Sequence, residues 1–213
     1  NQFFTAGIFS KEILNPIEET VNESGDLIIT SYQNVPLAEI NGFEIEYEQV
    51  FEAIMDSPND LLVKFNYTET ESEVIVNPGD TYINSIGTVV DAQNLLANGR
   101  DTRLQGQSDT IANFQIGLDN LQNQTQATLI VNYVSDRVRA RGIDVLPDII
   151  EEPPLLVDFA FSKIYSYPEF ELKLSLELRN LLDEEYYASM RNIAIYDQYD
   201  LGTSASLGFK ISF

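Results

Sequence analysis

Pairs of adjacent acidic residues are the side chains in this sequence best suited to chemistry. They occur at Glu18–Glu19, Glu151–Glu152 and Glu184–Glu185. Carboxylate oxygens are preferred ligands of Ca²⁺, so the pairs are candidate calcium ligands. None of them lies in the spacing of an EF-hand loop. The sequence therefore favours the simpler interpretation, a solvated acidic loop without metal.

Three arginines, Arg100, Arg103 and Arg191, lie in long polar segments of a very acidic chain. The sequence has 12 basic and 34 acidic residues and a formal net charge of -22. A guanidinium group can grip an anionic ligand, such as a chelated iron complex, or it can pair with neighbouring carboxylates. In so acidic a chain, the pattern favours structural pairing.

The amino-acid composition excludes several classes of function. The 213 residues include no histidine and no cysteine, which removes the commonest general base, thiolate metal sites and the usual catalytic triads. No phosphate-binding loop, dinucleotide fingerprint or nucleophile elbow is present. The negative charge would repel nucleic acid. We expect no catalytic residue, cofactor or resident metal; an enzyme that uses a carboxylate pair is the weakest alternative, and ligand-binding residues stay unassigned.

Alternation of apolar and polar residues is the dominant pattern. It predicts an all-β protein with about eight antiparallel strands. The stretches that carry it are 3–13, 40–48, 61–68, 111–119, 127–133, 157–162, 170–180 and 201–213.

The alternation also assigns side chains to two faces of the sheet, because a slip of one residue would exchange the faces of a whole strand. The expected lipid-facing, convex side carries Leu129, Val131, Val157, Phe159, Leu172, Leu174, Leu176, Phe209 and Ile211. The expected wet, concave side carries Lys64, Asn132, Lys173, Glu177, Arg179 and Lys210.

The connections between these strands alternate between short and long. Short ones are expected near 52–60, 120–124 and 166–169, and long ones near 14–26, 70–106, 139–154 and 182–200. This asymmetry is typical of an outer-membrane barrel. Aromatic residues near the strand ends fit its two interfacial girdles; they are Tyr165, Tyr167, Phe170 and Phe213 at one end, and Tyr186 and Tyr187 at the other. A soluble half-buried sheet, such as a secreted carbohydrate-binding or adhesive β-sandwich, is the alternative.

Five stretches in order resemble one known family. They are AEINGFEIEYE (38–48), GQSDTIANFQIGLDN (106–120), LPDIIEEPPLLVDFAFSK (146–163), LELRNLLDEEYYAS (176–189) and YDLGTSASLGFKISF (199–213). In this order they resemble the C-terminal part of the barrel of a TonB-dependent outer-membrane receptor. The resemblance covers nearly the whole chain, 1–213, and each stretch alone is weakly specific.

The resemblance implies a transport function. It implies an up-and-down barrel segment of about the last eight strands, open in isolation, in a bacterial outer membrane. The whole receptor would import an iron-siderophore, a vitamin or an oligosaccharide, with energy from the TonB complex. The plug domain and the TonB-contact segment are expected in a missing upstream part. Phe209, Ile211 and Phe213 would form the signal that the barrel-insertion machinery recognises. The ligand and any surface lipoprotein partner cannot be inferred.

Overall fold

The computed structural model describes residues 2–24, 27–54, 58–84, 87–96, 100–143, 146–191 and 193–213. These ranges include a short 3-10 helix, Ala92–Leu95, and no helix in them is long and apolar enough to cross a membrane. The strands are β1 (Gln2–Leu14), β2 (Ile17–Ser24), β3 (Leu27–Asn34), β4 (Leu37–Phe51), β5 (Asn59–Ile75), β6 (Thr81–Ile83), β7 (Val89–Asp91), β8 (Thr110–Asn120), β9 (Thr125–Val134), β10 (Arg137–Gly142), β11 (Ile149–Glu152), β12 (Leu156–Ser166), β13 (Glu171–Arg179), β14 (Glu185–Met190), β15 (Ala194–Asp200) and β16 (Ser204–Ser212).

Eight of these strands form one large sheet that matches the eight strands expected from the alternation. Its order is β1-β4-β5-β8-β9-β12-β13-β16, which follows the order along the chain, and every neighbouring pair is antiparallel. No ladder in the described residues joins β1 to β16, so the sheet is open. The expected open, sequential, antiparallel sheet is confirmed.

The strand registers confirm both sets of facing residues. Leu172, Leu174 and Leu176 pair with Ile211, Phe209 and Leu207, whereas Lys173 pairs with Lys210. Directly opposed residues lie on the same face. Following the pairs across all the ladders places the nine expected apolar residues on one face, here called the outer face, and the six expected polar residues on the other, the inner face.

The sequence led us to expect long loops between the paired strands, but the long connections contain regular structure. Their described residues contain eight further strands, and two pairs of these continue a hairpin of the large sheet in the same register: β2–β3 extends β1–β4, and β10–β11 extends β9–β12. These extensions lack the regular alternation of apolar and polar residues that marks the large sheet, so the sequence pattern did not predict them.

Six of the additional strands form a second sheet, in the order β15-β14-β11-β10-β2-β3, which we call the roof. Its β10–β2 pair is parallel, with Arg141 opposite Thr20, so the expectation of a wholly antiparallel chain is wrong at this point. β10 prolongs β9 while β2 prolongs β1, and β4, β5 and β8 lie between those two strands in the large sheet. The β10–β2 pair therefore bridges the extensions of two strands that have three others between them. Such a bridge is shorter across the concave side of a curved sheet, so we place the roof on that side.

The buried core identifies the inner face as that concave side. One cluster consists of Val35, Ala38, Val74, Tyr82, Ala92 and Leu95. Ala38 and Val74 share the face of Glu44 and Lys64, because both strands keep one register from end to end. The segments that cover them, around Tyr82 and Leu95, therefore fold over the inner face.

Candidate functional site: a hollow beneath the roof

A gap in one ladder lies at the centre of the site. The β9–β12 ladder ends where Asn132 opposes Leu156, and the β10–β11 ladder begins, in the same register, where Arg137 opposes Glu151. Residues 133–136 therefore face 152–155 without ladder pairing. Pro153 and Pro154 lie in this segment, and proline has no N–H to donate. The two prolines thus interrupt the hydrogen-bonded pairing of the two strands where they pass from the large sheet into the roof.

A hollow of about 700 Å³ occupies this gap, within the range of roughly 300–1,000 Å³ that is usual for small-molecule sites. We call it the roof hollow. Most of its lining side chains lie on the inner face or come from the second long connection. Its residues are Asp101, Arg103, Tyr133, Val134, Ser135, Asp136, Ile150, Glu152, Pro153, Ser189 and Arg191.

Arg103 is the best-connected side chain of the hollow. Its guanidinium donates to both carboxylate oxygens of Asp101, the shortest of these contacts being 2.8 Å, and to Asp136 at 2.9 Å and Asp109 at 3.3 Å. It also donates to the backbone carbonyl of Asp136 at 3.1 Å. One arginine is thus surrounded by three carboxylates, so the cluster is net negative.

Two of these carboxyl groups have shifted pKa values of opposite direction. For Asp101, partial burial opposes ionisation, but the hydrogen bonds and positive charge of Arg103 outweigh it and hold the pKa below its usual value. For Asp109, burial outweighs the attraction of Arg103 and raises the pKa. The hydrogen bonds from Arg103 to Asp101 raise the pKa of Arg103 itself. Asp101 therefore stays ionised as the main partner of Arg103.

A buried ion pair anchors the roof beside the hollow. Arg141 on β10 pairs with Glu18 on β2, and both side chains are 0% exposed. The guanidinium also donates to the backbone carbonyls of Asp101 and Arg103, the latter at 2.8 Å. It therefore ties three segments of the chain together: two strands of the roof and the segment that carries Arg103. Arg141 stays charged, because the partner carboxylate outweighs burial and raises its pKa.

Glu152 has an unengaged side chain at the hollow. It makes no hydrogen bond or ion pair within the described part of the chain, and it is exposed. Tyr133 also borders the hollow, but its pairing with Ala112 places its side chain on the outer face. Ser135, by contrast, already accepts a hydrogen bond from the backbone N–H of Thr110 at 3.0 Å. The Glu152 carboxylate is thus a free functional group of this hollow.

A smaller hollow of about 230 Å³ lies lower on the inner face. Asn66, Asn113 and Asn132 follow one another across β5, β8 and β9 in a single cross-strand row, with Glu46 next in line on β4. We call this set the amide row. It starts at Asn132, two residues from Val134 on the same face of β9, so amide groups continue below the roof hollow.

The structure distributes the arginines singled out from the sequence over two locations. Arg103 and Arg191 line the roof hollow, whereas Arg100 is 9% exposed and lies 3.7 Å from Asp148. The expected pairing with acids is confirmed for Arg100 and Arg103. Sequence reasoning missed Arg141, although the alternation of Arg137, Arg139 and Arg141 was a usable signal for a strand with a charged face.

The acid pairs have separate roles. Glu18 is buried against Arg141, so the expectation of a solvated loop is wrong there. Glu151 pairs with Arg137 at 2.9 Å, and Glu185 accepts a hydrogen bond from Gln198 at 2.7 Å. No group of three or more acids suited to a metal ion occurs among the residues described. Only Glu152 faces the hollow.

The proposed insertion signal lies on the edge strand. Phe209 and Ile211 project from the outer face of β16 with 68% and 54% of their surface exposed, and Phe213 follows the strand, fully exposed. Their role in insertion stays a prediction.

No family model matches this chain, and no match was found among the curated proteins. The function must therefore be inferred from the geometry of the chain itself.

Proposed function

We propose that the chain forms part of the wall of a transmembrane barrel in the bacterial outer membrane. The barrel belongs to an active-transport receptor that imports a scarce, bulky nutrient with energy from TonB. The observation that supports this most strongly is the outer face, whose apolar side chains are covered by no other part of the described chain. None of them is fully buried.

The size of this apolar surface supports lipid as its surroundings. Eight strands about 4.8 Å apart, each with about 20 Å of apolar stripe, give a planar area of roughly 760 Å². The largest apolar patch on a soluble monomer is typically about 300–600 Å². Strands β8, β9, β12, β13 and β16 have 9–11 residues, and about 9–11 tilted residues span a bilayer.

Aromatic residues at both ends of the stripe support the same environment. Tyr67 and Tyr133 lie on the outer face near the roof, each opposite Ala112 in its ladder. At the other end lie Tyr165 and the stacked rings of Tyr167 and Phe170, 4.7 Å apart. Interfacial aromatic girdles have this arrangement. Tyr186 was expected in the upper girdle but stacks on Tyr199 in the roof instead.

The inner side supports a transport role rather than a purely structural one. Its strands carry charged and amide side chains, as a wet lumen would. The roof folds over this side and borders an open hollow of ligand size. In this proposal the hollow captures the nutrient, and rearrangement of a plug domain coupled to TonB completes import. No residue of the chain performs covalent chemistry.

A secreted β-sandwich is less well supported. A sandwich buries its apolar face between two sheets, and here a buried cluster lies on the inner, polar face while the apolar outer face stays open. A binding module of that class would need another molecule to cover the outer face.

The test is made with the natural protein in its own cells. We expect it to sediment with the outer membrane and to resist extraction by urea. A deletion strain should fail to grow on one scarce nutrient at low concentration, as should a strain without TonB, and both should recover at high concentration. Recovery of the folded protein from the soluble fraction, or growth unaffected by loss of TonB, would contradict the proposal.

A further inference from the structure

We propose that the roof hollow binds an uncharged, polyhydroxylated ligand of the oligosaccharide class. This inference rests on the proposed transport function and specifies its substrate. The hollow has the volume for such a ligand, and the arrangement of its charges selects against the other classes.

The electrostatics of the hollow disfavour an anionic ligand. Two arginines, Arg103 and Arg191, line the hollow together with Asp101, Asp136 and Glu152, and the donors of Arg103 are already occupied by Asp101, Asp109 and Asp136. Glu152 adds a further negative charge at the rim, and the chain as a whole has a formal charge of -22. To reach Arg103, a phosphate or a negatively charged iron chelate would have to displace a carboxylate, in a lining whose three carboxylates outnumber its two arginines.

A metal cation is also disfavoured, for a geometric reason. Ca²⁺ requires about 6–8 oxygen ligands around one point. The carboxylates of Asp101 and Asp136 are turned toward Arg103, and no cluster of three acids suited to a metal occurs among the described residues. Glu152 alone would hold such an ion weakly.

Sugar hydroxyl groups fit the groups that remain. Glu152 can accept hydrogen bonds from two adjacent hydroxyls. Below it the amide row offers Asn132, which makes no hydrogen bond in the described part of the chain, and Asn113, whose bond to Asn66 is long at 3.5 Å. Amides also present donors and acceptors side by side, as vicinal hydroxyls require.

The continuity between the two sites indicates an extended ligand. Val134 and Asn132 lie two residues apart on the inner face of β9, Val134 at the roof hollow and Asn132 in the amide row. Together the hollows provide about 700 and 230 Å³. A ligand of several sugar units would fill the upper hollow and reach the row.

The experiment measures binding to the natural protein in detergent micelles. The probes are a glycan array of neutral, sulfated and uronic-acid oligosaccharides, a negatively charged ferric catecholate complex, and CaCl₂. We expect binding of at least one neutral glycan and no comparable binding of the charged probes. Glu152→Gln should weaken that binding roughly ten-fold or more, since a hydrogen bond to a charged group is lost. Glu184→Gln, at an acid outside the hollow, should leave it unchanged.

The outcomes separate the ligand from the transport function. Preference for an acidic glycan, the ferric complex or Ca²⁺, or no glycan bound at all, would overturn the oligosaccharide assignment while outer-membrane location still supported the receptor. Equal binding by Glu152→Gln and wild type would remove the roof hollow as the site. Neutral-glycan binding by a protein recovered from the soluble fraction would support the hollow and reject the receptor.

Discussion

A single arginine placed on either face of β13 would separate a lipid-facing surface from a wet one. Leu176 lies on the outer face between Phe161 and Leu207. It is a better position than Leu174, whose direct neighbour on β12 is Lys163. Ser175 lies on the inner face between Ser162 and Gly208, with Glu177 two residues along. The two sites share a strand and a depth, so only the face differs.

The expected difference follows from the environment of each side chain. Arginine on the lipid face near the bilayer midplane costs about 2–4 kcal/mol, which applies to Leu176→Arg. For Ser175→Arg we expect a cost of about 0–1 kcal/mol, because the guanidinium stays in water on the surface. A difference of about 2–3 kcal/mol is roughly a 30- to 150-fold change in the folding equilibrium.

The assay is refolding of the natural protein into phosphatidylcholine vesicles, followed by denaturant titration of tyrosine fluorescence. Leu176→Ser serves as a control that removes apolar volume without adding charge, and it should lose less stability than Leu176→Arg. Equal losses for the two arginine variants would refute the face assignment. A cooperative transition of the wild-type protein in buffer without lipid or detergent would refute the membrane itself.

Three further predictions concern the roof and the inner face. Glu18→Ala should destabilise the roof by about 3–5 kcal/mol, because it leaves Arg141 buried without its carboxylate. The control Arg179→Ala, in the exposed Arg179–Glu177 pair, should cost about 0–1 kcal/mol. Hydrogen exchange of the β2 and β10 amides measures the loss of roof stability, and unchanged exchange after Glu18→Ala would contradict the prediction. Gly142→Ala should cost about 1–3 kcal/mol of stability through overpacking, because a Cβ there would collide with the backbone carbonyls of Leu146 and Pro147. Gly7 has open space around it, so the control Gly7→Ala should be nearly neutral. Thermal melts compare the two variants, and equal melting temperatures would contradict the close packing at Gly142. The free energy of unfolding should fall as the pH drops below about 3.8, the ordinary pKa of Asp101, because the folded-state pKa is lower still and the unfolded chain binds the proton first. Asp101→Asn should flatten this part of the pH profile, although Asp109, whose pKa is raised, acts in the opposite sense and offsets part of the effect. A profile that Asp101→Asn leaves unchanged would exclude the Arg103 cluster as the cause.

Local sequence pattern was sufficient to predict the large sheet. A strand such as 170–180 has apolar and charged residues in strict alternation, and only one register places all the apolar ones on a common face. The order of strands followed because strands that are consecutive along the chain usually pair, and three of the seven connections are short enough to force it. The facing of Leu174 and Lys173 was therefore predictable from the sequence alone.

The roof and its hollow depended on contacts between residues far apart in the chain. Glu18 and Arg141 are 123 positions apart, and nothing within either segment shows that their charges meet in a buried site. The parallel β10–β2 pair likewise arises because the curved sheet brings the extensions of β1 and β9 together. The alternation of residues within a strand specifies which side chains share a face. Which distant residue a roof side chain such as Arg141 contacts depends instead on how the curved sheet brings separate segments together.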